Sequence, residues 1–338
     1  MTGTSDGTAD PTPPNSIAGS IAGSITGSIT VPAELDGARL DKVIAQLLPG
    51  MSRARVKRAI EGKGVRVNGR LSPKGAVVAT GDVVVVDEAF AGDADAPAVA
   101  TPDAPLTVLL ETEGVLVVDK PAGQPTAPIR ANETGTLANA LVARFPELAG
   151  IGHAKREPGL VHRLDTETSG VVVAARTEEA FETLKAALKD HRLGKKYLLV
   201  CASDGLPEEG TIEFPIANHP KDQRRVYPCI HPRDVMRYAP RAATTRYVVK
   251  ARGARWALVE VDVARALRHQ IRSHFAAIGH PLAGDTLYGG AEVRALGRHA
   301  LHASAVTFAG GPGVAAFDVT SPLPPAMAAL VDEAAEES

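Results

Sequence analysis

The chain has 338 residues, of which 44% are apolar and 22% charged, with a formal net charge of −2. That length and balance suit a folded protein of about two domains and exclude a disordered composition. A near-neutral total says nothing about a polyanionic partner, so charge has to be followed along the chain.

Residues 1–30 are rich in Gly, Ser, Thr and Pro, and residues 16–30 form an imperfect four-residue repeat, SIAG SIAG SITG SIT. A glycine in every repeat costs a helix ~1 kcal/mol per position relative to alanine. Residues 1–30 are therefore expected to be a disordered tail. No basic residue precedes Arg39 and no apolar run approaches the ~20 residues a bilayer span needs. A cytoplasmic chain with no membrane partner is expected, with a monomer as default. Cys201 and Cys229 lie far apart and in no ligand spacing, as expected for ordinary thiols in a reducing compartment.

Order is expected from residue 31 to residue 89. Leu40, Val43, Ile44, Leu47 and Leu48 fall on one helical face, stopped by Pro49-Gly50. Ser52 is a candidate N-cap for a second helix with Val56, Ala59 and Ile60 on its apolar side. VRV, the turn signal Asn68-Gly69 and VVVV at residues 83–86 add a small sheet. Residues 53–74 carry eight Lys or Arg against one acid, Glu61, a local charge of +7. Such a run is either a solvated helix face or a phosphate-reading surface, and in the second case Arg53, Arg55, Lys57 and Arg58 are the candidate contacts. The segments RLDKVIAQLL, SRARVKRAI, GKGVRVNGR and GDVVVV resemble the S4 domain, a small α/β RNA-binding module, over residues 38–88.

Residues 90–105, rich in Ala, Pro and Asp, are expected to be a linker, residues 106–330 a second domain, and residues 331–338 an acidic tail. In the second domain, short strand-like runs at residues 115–118, 171–174, 196–200, 246–250 and 256–263 outnumber helices. The clearest helix is at residues 178–191, with Thr177 as its N-cap. The lack of a strict βαβ rhythm points to an α+β domain with a largely antiparallel mixed sheet flanked by helices.

Signatures of serine hydrolases, nucleotide-binding loops and zinc proteases are absent. His299 and His302 are close in sequence but lack further ligands, so no metal is expected. The remaining candidate is VHRLDTETSG, where His162, Arg163 and Asp165 stand directly before an apolar strand. Loops at sheet edges deliver catalytic groups, yet Asp before Thr is also a common turn or cap arrangement. Residue chemistry leaves both readings open.

HRLDTETSG resembles the H-R-L-D-x-x-T-S-G motif of the RluA-like pseudouridine synthases. DKPAG, KKYLLV, TRYVV, HQIRSHFAAIGHPLAGDTLYGG, LHA and SPLP follow in that family's order, across residues 106–326. The resemblance implies a pseudouridine synthase domain without cofactor, in which Asp165 is the catalytic carboxylate. It acts by covalent attack or by removing the ribose 2′ proton. Arg272 matches the arginine that pairs with that aspartate, and a cation within ~4–6 Å favours the charged form of a carboxylate. Tyr197 matches the tyrosine that stacks on the target base, and Arg163 the arginine that holds the nucleotide flipped out. His162 and Arg268 are further candidate substrate contacts. Residues 221–272 add thirteen Lys or Arg against four acids, a charge of +9 suited to phosphates.

Two departures from the family pattern stand out. G-R-T-H-Q-I-R reads here as Ala266-Leu267-Arg268-His269-Gln270-Ile271-Arg272, and V-V-H-P becomes QPTAPI. Both spare Asp165, Tyr197 and Arg272, so the chemistry is expected to persist while substrate contacts differ. An S4 domain ahead of this catalytic domain favours large-subunit ribosomal RNA over transfer RNA as the partner. Competing readings are a noncatalytic RNA-binding or ribosome-assembly factor, and a hydrolase using His162 with Asp165, which lacks a nucleophile.

Overall fold

The computed structural model describes residues 25–48, 51, 53–73, 75–87, 96–129, 132–263 and 266–336. Chain contacts divide it into two units, residues 1–94 and 95–338.

In the first unit β1 (Ile25–Thr30), β2 (Val65–Val67), β3 (Arg70–Leu71) and β4 (Val83–Asp87) form an antiparallel sheet in the order β1-β4-β2-β3. Helices α1 (Leu40–Leu47) and α2 (Arg53–Glu61) accompany it. Leu40, Val43 and Ile44 of α1 and Val56, Ala59 and Ile60 of α2 enter a core completed by Val65, Val84 and Val86, as their helical spacing requires. The expected N-cap Ser52 lies outside the described residues. Asn68 and Gly69 both have positive φ, 50° and 77°, the pairing that a tight hairpin between β2 and β3 needs.

Strand β1 corrects the expected tail: residues 25–30 pair with β4, and Ile29 packs against the core. Alternate residues of a strand share a face, and Ile29 lies on the face turned to the core. The glycine penalty argued only against a helix. Residues 1–24 lie outside the described residues.

The second unit is built on a nine-stranded sheet. Its strands are β5 (Thr107–Glu111), β6 (Val115–Lys120), β7 (Ser169–Ala175), β8 (Leu193–Ala202), β9 (Glu209–Ile212), β12 (Thr245–Arg252), β13 (Trp256–Asp262), β14 (Leu301–Phe308) and β15 (Phe317–Thr320). The order is β5-β6-β7-β14-β8-β13-β12-β9, with β15 on β14. Among the described residues only β7 and β14 run parallel, so the sheet is mostly antiparallel, as the strand-rich pattern implied. The hairpin β10 (Ile216–Asn218) and β11 (Val226–Pro228), with helix α5 (Pro232–Tyr238), stands apart from that sheet.

Both faces of β6 and β7 are covered, which explains their unbroken apolar runs. Val117 and Val173 meet Phe181 and Leu184 of α4 (Glu178–Lys189), whereas Val118 and Val172 meet Leu137 and Leu141 of α3 (Leu137–Arg144). Helix α4 opens on the expected cap, Thr177 Oγ1 accepting from the Ala180 amide at 3.1 Å. Tyr197 and Leu199 of β8 pack with Ile271 and Phe275 of α6 (Gln270–Ala277). Val200 instead meets Met327 and Leu330 of α7 (Pro325–Glu336).

Two boundaries shift. Residues 96–105 are not a free spacer: Thr101 donates to the Asn139 carbonyl at 3.2 Å, and Asn139 Nδ2 to the Val99 carbonyl at 2.7 Å. The acidic segment from residue 331 begins inside α7, whose Met327 and Leu330 anchor it. Among the described residues no helix is long and apolar enough to cross a membrane.

Candidate active site

The loop at residues 160–168 delivers Asp165 just before β7. Thr168 N–H donates to the Asp165 carbonyl at 3.0 Å, closing a turn. The loop is held from beneath by the DKPAG segment. Lys120, fully buried, donates to the carbonyls of Pro121, Gln124 and Thr166 at 2.9, 2.7 and 3.0 Å. Thr126, within the departing QPTAPI stretch, donates to the Leu164 carbonyl at 2.8 Å and accepts from its amide at 3.2 Å. Burial pushes the Lys120 ammonium down to about 8. At the loop's exit Gly170 has φ +111°, and a Cβ there would run into the Ala303 carbonyl where β7 and β14 meet. That close approach accounts for the glycine of T-S-G.

Asp165 faces α6 across this gap. Arg272 Nη1 donates to Asp165 Oδ2 at 3.1 Å, and Arg272 Nε and Nη2 donate to Asp285 Oδ2 and Oδ1 at 2.7 and 2.8 Å. Burial would lower the Arg272 guanidinium, but the two carboxylates outweigh it and raise it above its usual value. His269 brings Nε2 to 3.5 Å from Asp165 Oδ2. It adopts φ +53° at the start of α6, an uncommon conformation for a residue with a Cβ. Its Nδ1 lies 3.0 Å from the Tyr288 hydroxyl, whose oxygen accepts from the Val226 amide at 2.8 Å. Burial pushes the His269 imidazole below its ordinary value, against the pull of the Asp165 charge.

Tyr197 is 4% exposed and lines the same cavity as Asp165, with Leu164, Ile271 and Leu301 supplying apolar walls. Burial, with a contribution from the Asp165 charge, pushes its phenol above the usual range. Arg163 stands at the mouth of the site, exposed, with Nη1 donating to Glu157 at 2.9 Å. His162 Nε2 accepts from the Val173 amide at 3.2 Å, and burial pushes this ring down to about 3.

Six expected residues, Asp165, Tyr197, Arg272, Arg163, His162 and Arg268, thus border one groove or the cavity within it. Arg268 Nη2 donates to the Gln223 and Arg225 carbonyls at 2.6 and 3.3 Å, bracing the loop ahead of β11. Leu267 packs with Ile216, Val226 and Tyr288, so the two departures from G-R-T-H-Q-I-R join α6 to the hairpin lobe. Arg53, Arg55, Lys57 and Arg58 lie on α2 of the other unit, where Lys57 pairs with Glu61 at 3.9 Å.

Sequence reasoning missed Asp285, Tyr288 and Lys120. Asp285 was traceable as the one acid in HPLAGDTLYGG, and Lys120 as a cation ending an apolar strand. Tyr288 carried no local signal. His299 and His302 tie T-S to the L-H-A strand, with Thr168 Oγ1 and Ser169 Oγ at 2.8 and 3.0 Å from their rings. Among the described residues no group of three His, Cys, Asp or Glu converges as a metal site.

The sequence profile of RNA pseudouridylate synthases matches residues 114–277, and that of the S4 domain residues 38–84. The chain is 35% identical over 322 residues to a protein of Xanthomonas campestris named ribosomal large subunit pseudouridine synthase D, covering 90% of this chain and 92% of that one. It is 36% identical over 271 residues to an uncharacterized RNA pseudouridine synthase of Synechocystis, covering 79% and 80%. The solved structure of human RNA pseudouridylate synthase domain containing 1 shares the fold at a TM-score of 0.52 and 23% identity, over 66% of this chain and 86% of that one.

Proposed function

The chain belongs to the RluA-like RNA pseudouridine synthases that carry an N-terminal S4 domain, and from that premise we propose that Asp165 is its catalytic carboxylate and large-subunit ribosomal RNA its substrate. The enzyme isomerises uridine in RNA. The C1′–N1 bond breaks, the uracil turns, and C5 bonds to C1′. C5 loses a proton and N1 gains one, so no oxidant, reductant or co-reactant is consumed.

The observation that carries the reading is the Arg272 clamp. Asp285 fixes two of the guanidinium's nitrogens, so the third meets Asp165 in one orientation at 3.1 Å. A carboxylate paired with a guanidinium beside an apolar cavity is what either route, attack at C1′ or removal of the 2′ proton, can use. Tyr197 offers the detached uracil a flat face inside that cavity, a contact worth ~1–3 kcal/mol. As a neutral phenol it stacks and donates, and it can assist C5 proton loss only by passing its own proton on. Arg163 is positioned at the rim to exchange Glu157 for the RNA and hold the uridine out of its stack.

The substrate assignment is supported by the S4 domain and by relatives named as large-subunit enzymes that align over most of this chain. Asp165→Asn should abolish pseudouridine formation while leaving RNA binding within about twofold. Unchanged product would sink the role of Asp165. Mapping pseudouridines across ribosomal and transfer RNA in cells with and without the gene tests the target; loss confined to transfer RNA would overturn it.

A further inference from the structure

Lys195 stands on β8 two residues before Tyr197, on the same strand face, and is only 7% exposed. Among the described residues its ammonium makes no hydrogen bond and no ion pair. A buried cation without a counter-charge is costly, and burial pushes this one down to about 8. It opens into two hollows that share His162 and Ala266: the groove holding Asp165, and a second hollow beside Lys185 and Lys189 of α4. Beside it, His162 Nε2 is occupied by the Val173 amide, so the ring is neutral and its proton sits on the buried Nδ1, leaving Lys195 as the charged donor there.

The acids bordering these hollows are engaged elsewhere. Glu157 is held by Arg163 at 2.9 Å, Glu182 by Lys185 at 3.0 and 3.2 Å, and Asp165 by Arg272 at 3.1 Å. A cationic donor without a counter-charge, Lys195, therefore borders the opening next to the active site. Residues two apart on a strand are about 6.6 Å apart along it, so an anion at Lys195 lies close to a base on Tyr197.

We propose that Lys195 holds an RNA backbone phosphate of a linkage flanking the target uridine, with the strand leaving the groove along the basic end of α4. The assignment rests on the synthase reading of the groove and names a contact within it. The bound phosphate supplies the missing counter-charge, and Tyr197 and Lys195 together fix a base and its neighbouring linkage from one strand.

The test uses the full-length protein and a transcript of large-subunit ribosomal RNA. Binding is measured across a salt series for wild type, Lys195→Met and Lys195→Arg, with thermal melts to verify folding. One lost phosphate contact should make the slope of log K against log salt shallower by about 0.7–0.9 in Lys195→Met. Lys195→Arg should keep the wild-type slope and bind within about threefold. A folded Lys195→Met with the wild-type slope overturns the proposal. So does a Lys195→Arg that loses the slope, which also serves as the decisive variant should Lys195→Met fail to fold. Product formation by Asp165→Asn on the same transcript separates the two readings. Product made without Asp165 defeats the catalytic assignment alone, whereas an unchanged salt slope defeats the phosphate site alone.

Discussion

Arg272 reaches Asp165 with one nitrogen while its other two are locked onto Asp285, at 2.7 and 2.8 Å on one side and 3.1 Å on the other. Arg272 is 6% exposed and Asp285 2%, so the pair is desolvated, and removing one partner strands a buried charge. Asp285→Ala should destabilise the protein by about 3–5 kcal/mol. In the folded fraction, misplacing the guanidinium should slow single-turnover conversion on the order of 10²-fold, with RNA affinity nearly unchanged. Asp285→Glu should recover part of the rate. Equal losses in affinity and rate would make Asp285 a merely structural residue.

Tyr197 makes a second prediction. Burial and the nearby Asp165 charge push its phenol above the usual range, so it stays neutral where an exposed tyrosine ionises. Conversion by the wild-type enzyme should therefore show no rise between pH 9 and 10.5 that Tyr197→Phe removes. Tyr197→Phe keeps the flat face and should retain RNA affinity; Tyr197→Ala should also lose the ~1–3 kcal/mol of stacking. Rate–pH profiles of the three proteins on one transcript decide this, and a Tyr-dependent rise near pH 10 would mean that the phenol titrates normally.

Much of this arrangement was legible in the sequence where a side chain's environment is set by its neighbours along the chain. Leu40, Val43 and Ile44 declare their helix by spacing, and the alternating fates of Val117 and Val118 follow from strand geometry alone. Asp165, by contrast, was locally ambiguous between a turn residue and a carboxylate with a task; its carbonyl closes the turn with Thr168, while its side chain pairs with Arg272. Its partners come from residues 269 and 272, with Asp285 behind Arg272, and no local pattern announces a bond between residues 107 positions apart. Asp285, Lys120 and Tyr288 were missed for that reason. Strand β1 was missed because glycine spacing was weighed against a helix alone.

The replacement of the family's Arg-Thr by Leu267-Arg268 leads to a third prediction. Leu267 fills an apolar cluster with Ile216, Val226 and Tyr288, and Arg268 holds two carbonyls of the loop before β11. Leu267→Arg should bury an unpaired cation against that cluster and cost about 1–3 kcal/mol by overpacking alone. Arg268→Thr removes only the two carbonyl bonds, and should speed amide hydrogen exchange at residues 219–226 without altering the single-turnover rate at saturating enzyme. Unaltered exchange there would mean that Arg268 does not brace the loop.

A last prediction concerns the unpaired ammonium of Lys195. Its value in the folded chain, about 8, lies below the ordinary lysine value of 10.5. The folded state therefore resists the proton that the unfolded chain binds, and stability rises with pH across that interval. Above about pH 10.5 both states are neutral at this site and nothing is lost; as pH falls to 8 the cost grows, and below 8 it is fully present. Lys195→Met removes the charge, so the variant should be the more stable protein at pH 7, by up to about 3 kcal/mol on this account. Its advantage should shrink steadily from pH 8 to pH 10. Lys120, also pushed down to about 8, titrates in the same window, but it is present in both proteins and cancels in their difference. The groups that face Lys195 do not mimic the effect: the His162 ring sits at about 3 and stays neutral throughout, and Glu182, Lys185 and Lys189 border the hollow in both proteins. Urea unfolding of wild type and Lys195→Met at pH 7, 8, 9 and 10 measures the gap directly. A gap that stays constant with pH would mean that the lysine is charged at no cost in the free protein, and that it already has an anion.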